Sequence, residues 1–142
     1  MVATSLPSIG SNVRQLLDEI ALGTRSLLLE HFKRFVINGP GGLMVTKDMT
    51  QYTDVLKSWN IDEEIKGAGG ALDVLLEVGN LFVIGPEALR ERIGAKASAG
   101  DSKGSRNNAG SQSSLGVQEV RAYVSRREDS NTAAMQSVLT SL

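Results

Sequence analysis

From residue 11 the apolar positions recur at three- and four-residue steps: Val13, Leu16, Leu17, Ile20, Leu27, Leu28 and Phe35, with Thr24 in register. This is the spacing of one face of an α-helix and predicts a long helix over residues 12–37. Ser11 is the expected N-cap, and Asn38-Gly39-Pro40 the expected stop, because αL-tolerant residues are followed there by one that cannot continue a helix. Gly39-Pro40-Gly41-Gly42 then reads as a turn, and Leu43-Met44-Val45-Thr46 as a short extended plug. Asp48 with Gln51 three residues on matches a capping box, so a second helix is expected from Met49. Tyr52, Val55, Leu56 and Trp59 supply its apolar stripe, with Tyr52 and Trp59 as core anchors two turns apart. Asp62-Glu63-Glu64 places negative charge where a helix N-terminus favours it. Ile65, Leu72, Leu75, Leu76, Val78, Phe82 and Val83 carry the period to about residue 83. Lys66-Gly67-Ala68-Gly69-Gly70 interrupts it: either the helix starts late, near Gly70, or a neighbouring helix approaches closely over the small residues. Pro86 at a first helical position, with Glu87 behind it, opens a short helix through Leu89 to Ile93.

Residues 95–116 differ in kind. Gly, Ser, Ala, Asn, Lys and Asp fill most of them, and Leu115 is the one large apolar side chain. Such a segment buries too little surface to offset its ordering entropy and is expected to be disordered. Val117, Val120 and Val124 resume the helical spacing, and Met135, Val138, Leu139 and Leu142 form a last apolar stripe. The expected organisation is therefore a flexible N-terminus (1–10), a helical domain (11–94), a Ser/Gly/Asn-rich linker or loop insertion (95–116), and a C-terminal helix or helices packing on the body (117–142). The fold class is all-α, a helical bundle.

Composition narrows the chemistry. The chain has 142 residues, room for one modest domain, and 15 Lys plus Arg against 16 Asp plus Glu give a net charge of -1. No global field draws it to nucleic acid. The absence of cysteine removes disulfides, thiolate nucleophiles and cysteine-type zinc sites, and a single histidine leaves little metal chemistry. No signal-peptide pattern opens the sequence and no apolar run reaches membrane-spanning length, so a soluble intracellular chain is expected.

Each remaining candidate has an ordinary reading that outweighs the functional one. His31 has no nucleophile at helical spacing to activate. Asp62-Glu63-Glu64 point in different directions on a helix and fit a helix start better than a shared ion. Asn38-Gly39-Pro40-Gly41-Gly42 offers glycine amides to an anion but lacks the Gly-Lys-Ser/Thr ending and the preceding strand of a phosphate loop. Lys33-Arg34 and Arg126-Arg127, set among Glu30, Glu128 and Asp129, read as solvated helix faces, which limits membrane contact to the peripheral kind. No catalytic, cofactor-binding or metal residue is assigned, and no enzyme activity is expected. What remains are apolar helical faces, suited to an internal core or to a partner helix.

Three segments in the same order resemble a known family. They are Leu28-Leu29-Glu30-His31-Phe32-Lys33-Arg34-Phe35 with Gly41-Gly42-Leu43-Met44-Val45-Thr46-Lys47-Asp48 and Tyr52; residues 75–89 with Gly79-Asn80-Leu81-Phe82-Val83-Ile84 and Pro86-Glu87-Ala88-Leu89; and Tyr123-Val124-Ser125-Arg126-Arg127-Glu128-Asp129. Together they are similar to the C-terminal region of the Sec-ten-like family, which comprises an exocyst subunit and the related fungal F-box protein recyclin. The resemblance implies stacked helical bundles like the end of a rod-shaped tethering subunit. It also implies a non-catalytic role in vesicle tethering in exocytosis or endosomal recycling, and no cofactor. The implied partners are other tethering-complex subunits, small GTPases or membrane-fusion proteins. The implied location is cytoplasmic, with recruitment to vesicle, endosome or plasma-membrane sites. Family members are much longer, and residues 95–116 look expanded against the family pattern. Two alternatives stand beside this reading: a small ligand- or phosphate-binding helical domain using residues 39–42, or a truncated fragment without independent function.

Overall fold

The computed structural model describes residues 5–100 and 115–142. Every regular element among them is helical. The order is α1 (Ser5–Phe32), α2 (Gly39–Lys57), α3 (Glu63–Lys66), α4 (Asp73–Leu81), α5 (Pro86–Gly100), α6 (Val117–Val124), a 3-10 turn (Glu128–Asn131) and α7 (Ala133–Thr140). The all-α expectation holds.

Several boundaries differ from the sequence reading, each for a local reason. The first helix begins before Ser11, which therefore lies inside α1 rather than capping it, and it ends at Phe32 rather than residue 37. Ile37 instead forms an isolated parallel bridge with Arg127. Its amide donates to the Arg126 carbonyl (2.8 Å), and its own carbonyl accepts from the Glu128 amide (2.9 Å). Asn38 does not close a helix but opens one. Its backbone is extended, and its Oδ1 accepts from the Gly41 amide at 2.8 Å, with Pro40 in the first turn. Residues 39–42 are thus helix rather than turn, and residues 43–46 are helix rather than an extended plug. Asp48 and Gln51 sit in the middle of α2, so the apparent capping box caps nothing.

Glycine in a helix costs up to about 1 kcal/mol against alanine, so α2 needs a reason to tolerate Gly42. The reason is contact: α2 lies against α4, and a Cβ built on Gly42 would fall 2.6 Å from the Phe82 carbonyl oxygen. One on Gly79 of α4 would come within 3.2 Å of the Thr46 Cα. Thr46 seals the crossing by donating its hydroxyl to the carbonyls of Gly42 (3.0 Å) and Gly79 (2.9 Å).

Between α2 and α4 the expected single helix is broken. Asp62 caps α3, accepting from the Glu64 amide at 2.9 Å. The chain then turns through Gly69, whose φ of 74° only glycine adopts freely. The late start is the alternative that the structure takes. Asp73 ties this corner together: its carboxylate accepts from the Gly69 amide (2.7 Å) and pairs with Lys57 of α2. Pro86 opens α5 as expected, but the helix runs past Ile93 to Gly100. Of the segment read as a linker, residues 95–100 continue α5, residues 101–114 lie outside the described residues, and Leu115 is buried in the core.

The core centres on α4, whose Leu75 and Val78 are fully buried, with Leu72 just before it. Met49 and Leu56 of α2, Leu89 of α5, Tyr123 and Val124 of α6, and Met135 and Val138 of α7 close around them. Tyr123 joins the end of the chain to the start. Its hydroxyl donates to the Leu29 carbonyl of α1 (3.2 Å), and its ring meets Phe82 edge-on at 6.2 Å. Burial pushes its phenol well above the ordinary range.

Thr53 is the exception in this core, being 1% exposed with a hydroxyl that has no hydrogen-bond partner among the described residues. Thr53→Val keeps the shape and removes the stranded oxygen. It is expected to raise stability by about 1 kcal/mol in urea unfolding, and a loss would show that the hydroxyl is satisfied.

Candidate interaction surface

The apolar positions read along α1 divide between two faces: Leu17 and Leu28 pack against the core, and the others of the stripe do not. Ala21 is fully buried, and Leu17, Leu22, Leu28, Leu29 and Phe32 pack against the core. Val13, Leu16, Ile20 and Leu27 are exposed, Leu27 at 74%. At 100° per residue these four lie together on a second face, roughly a quarter to a third of a turn from the first.

Helix α2 repeats the arrangement. Gly42, Val45, Met49, Thr53 and Leu56 point inward. Met44, Asp48, Tyr52 and Val55, spaced four, four and three, form a neighbouring stripe. Met44, Val55 and Tyr52 are exposed, Tyr52 at 46%, so Tyr52 is not the core anchor expected of it; Trp59, half-buried against the core, comes closer to that role.

Leu27 of the first stripe and Asp48 and Tyr52 of the second line a groove of about 420 Å³ between the two helices. Thr24, Leu27, Leu28, His31 and Phe32 of α1 form one wall, and Asp48 and Tyr52 of α2 the other. A second concavity of about 300 Å³ continues past His31 and Phe32, with Phe35, Val36, Ile37, Asn38, Gly41 and Val45. His31 forms the ridge between them, tilted on Phe35 (4.8 Å) and edge-on to Phe32 (5.3 Å). Phe35 and Val36, the latter 71% exposed, extend the apolar surface around the α1–α2 corner. The lining is largely apolar and aromatic, with His31, Asp48 and the Tyr52 phenol as its titratable groups, which suits a macromolecular contact.

The corner is set from below by Arg127. Read in the sequence as part of a solvated face, it is 8% exposed. Its Nη1 donates to the Leu81 carbonyl at 3.0 Å and to that of Ile84, closing the C-terminus of α4. Its Nε and Nη2 grip the Asp129 carboxylate at 2.9 and 2.8 Å. The same residue bridges Ile37 through the backbone, so the end of α4, the start of α2 and the 3-10 turn share one anchor. The Arg-Glu-Asp run is visible in the sequence; the burial of Arg127 is not, because Leu81 and Ile84 lie more than 40 residues away.

The other candidates fall into structural roles. Asp62 is the α3 cap, and Glu63 pairs with Lys66 at 3.4 Å. Lys33 pairs with Glu30 at 2.8 Å, a contact that holds the Glu30 carboxyl below its usual range, and lies 5.5 Å from the Tyr123 ring centre. The amides of residues 39–42 offer no anion cradle. Pro40 has none, Gly41 is taken by the Asn38 side chain, and Gly42 donates to the Asn38 carbonyl at 2.8 Å. Among the described residues no group of three or more His, Asp or Glu could hold a metal ion, and no helix is long and apolar enough to cross a membrane.

Comparison with known proteins places this bundle. The family model described as "Exocyst complex component Sec10-like, alpha-helical bundle" matches residues 1–139. The chain belongs to the Sec10-like exocyst component family. Among its relatives, exocyst complex component SEC10 of Saccharomyces cerevisiae is 30% identical over 122 residues, which is 86% of this chain and 12% of the yeast protein. Exocyst complex component 5 of Oryza sativa is 24% identical over 136 residues, 94% of this chain and 14% of that protein. SEC10a of Arabidopsis thaliana is 29% identical over 83 residues, 56% of this chain and 9% of that protein. No solved structure gives a significant match. The chain thus spans about an eighth of the yeast and rice family members, and the bundle described above is the part it shares with them.

Proposed function

We propose that this bundle is a non-catalytic module of vesicle tethering in exocytosis or endosomal recycling, acting by protein–protein contact alongside other exocyst subunits. Membership of the family over nearly the whole chain supports the reading most directly. The surface agrees with it: among the described residues, apolar side chains at helical spacing on α1 and α2 are left exposed. In this reading the module works in the cytoplasm and reaches vesicle, endosome or plasma-membrane sites through the proteins it binds. Small GTPases and membrane-fusion proteins are candidate partners beside the exocyst subunits. The test is co-purification. The tagged 142-residue chain, expressed in cells, is expected to bring down known exocyst subunits, identified by mass spectrometry against an untagged control. Their absence at matched expression would overturn the proposal.

A further inference from the structure

We infer that the α1–α2 groove receives an amphipathic helix of a partner protein whose apolar stripe carries a lysine or arginine opposite Asp48. The inference deepens the proposed tethering role and rests on it for the partner being another protein. Two observations carry it.

The first is shape. The groove runs between two helices of one chain and has an exposed apolar side chain on each wall, Leu27 of α1 and Tyr52 of α2. Such a trough takes a third helix, whose anchors at three- and four-residue spacing would sit between the two walls.

The second is charge. Asp48 is partly buried and is the one carboxylate lining this groove, and among the described residues its side chain makes no hydrogen bond or ion pair. Asp18, Asp62, Asp73 and Asp129 all have partners, and Asp54, which like Asp48 has none among the described residues, is fully on the exposed side of α2. A purely apolar occupant would cover this carboxylate and leave it unpaired, which is costly. An acidic occupant would repel it. A basic residue set in an apolar stripe meets both conditions, and His31 on the facing wall lines the same groove without pairing with Asp48.

The experiment uses two model amphipathic peptides, one of leucine and lysine and one of leucine and glutamate in the same pattern, titrated against the full 142-residue chain by fluorescence anisotropy. The Leu/Lys peptide is expected to bind at least about tenfold more tightly than the Leu/Glu peptide. Leu27→Asp or Tyr52→Asp should abolish the binding, and Asp48→Lys should invert the preference. Asp54→Lys, on an exposed part of α2 away from the groove, should leave it unchanged. All four sites are exposed or half-exposed, so the melting temperature should hold and confirm folding. Equal binding of both peptides, or the same inversion from Asp54→Lys, would overturn the inference. So would a concentration-dependent dimer abolished by Leu27→Asp, since the occupant would then be a second copy. A Leu27→Asp chain that still co-purifies with exocyst subunits would also overturn the groove as their docking site, while leaving the tethering role standing.

Discussion

Arg127→Ala is expected to cost about 3–5 kcal/mol of folding stability, seen as a lower urea midpoint at unchanged slope. The magnitude follows from what the side chain leaves behind. Two carbonyls at the end of α4, those of Leu81 and Ile84, lose a charged donor in a place where Arg127 itself is nearly sealed from solvent. Hydrogen bonds to charged groups contribute roughly 1.5–3 kcal/mol each, and an unmade one costs the desolvation of its partner. The Asp129 half of the clamp adds less, because that carboxylate is 43% exposed and water can take over. Arg127→Lys should recover only part of the loss, since a single ammonium cannot hold both carbonyls and grip a carboxylate with a fork. A cost under about 1 kcal/mol for the alanine variant would show that water reaches those carbonyls and that the clamp is incidental.

Gly42→Ala is expected to destabilise the bundle by about 2 kcal/mol, although alanine is the better helix former. The new methyl would lie 2.6 Å from the backbone oxygen of Phe82, so α2 and α4 must separate. That strains the Thr46 hydrogen bonds to both helices. Gly23 gives the internal control. It also lies inside a helix, but a Cβ there meets nothing within 4 Å. Gly23→Ala should therefore stabilise by about 0.5–1 kcal/mol. Thermal or urea unfolding of the two variants side by side measures the opposite signs. Stabilisation by both would mean that the α2–α4 crossing is looser than described.

The contrast between these glycines shows where the sequence was readable. Helical class followed from periodicity, because leucines at three- and four-residue steps have few other uses. Which face of a helix turns inward did not follow. Helix α1 carries apolar residues on two faces, and nothing local distinguishes Leu17 and Ala21, which pack inward, from Leu16 and Ile20, which do not. The choice is made by α4, which is distant in sequence. Residues 38–42 are ambiguous for a different reason: Asn-Gly-Pro-Gly-Gly is both a stop signal and, with proline in a first turn, a start signal. The Asn38 side chain, through its bond to Gly41, decides for the start. Asp62 and Pro86 were legible because a cap acts within one turn. Tyr52 was not, since aromatic character at helical spacing serves a core and a docking wall equally well.

The bridge between Ile37 and Arg127 has a kinetic side. Two backbone hydrogen bonds there join positions about 90 residues apart, and closing so long a loop carries an entropic cost that no single helix can offset. The amides of Ile37 and Glu128 are therefore expected to gain protection against solvent exchange later than the amides inside the helices, as pulsed hydrogen exchange during refolding would measure. The corner beside the outer groove is in this sense a gauge of the fold: slow exchange at these two amides would report that the segments after α1 and after α6 have closed on each other.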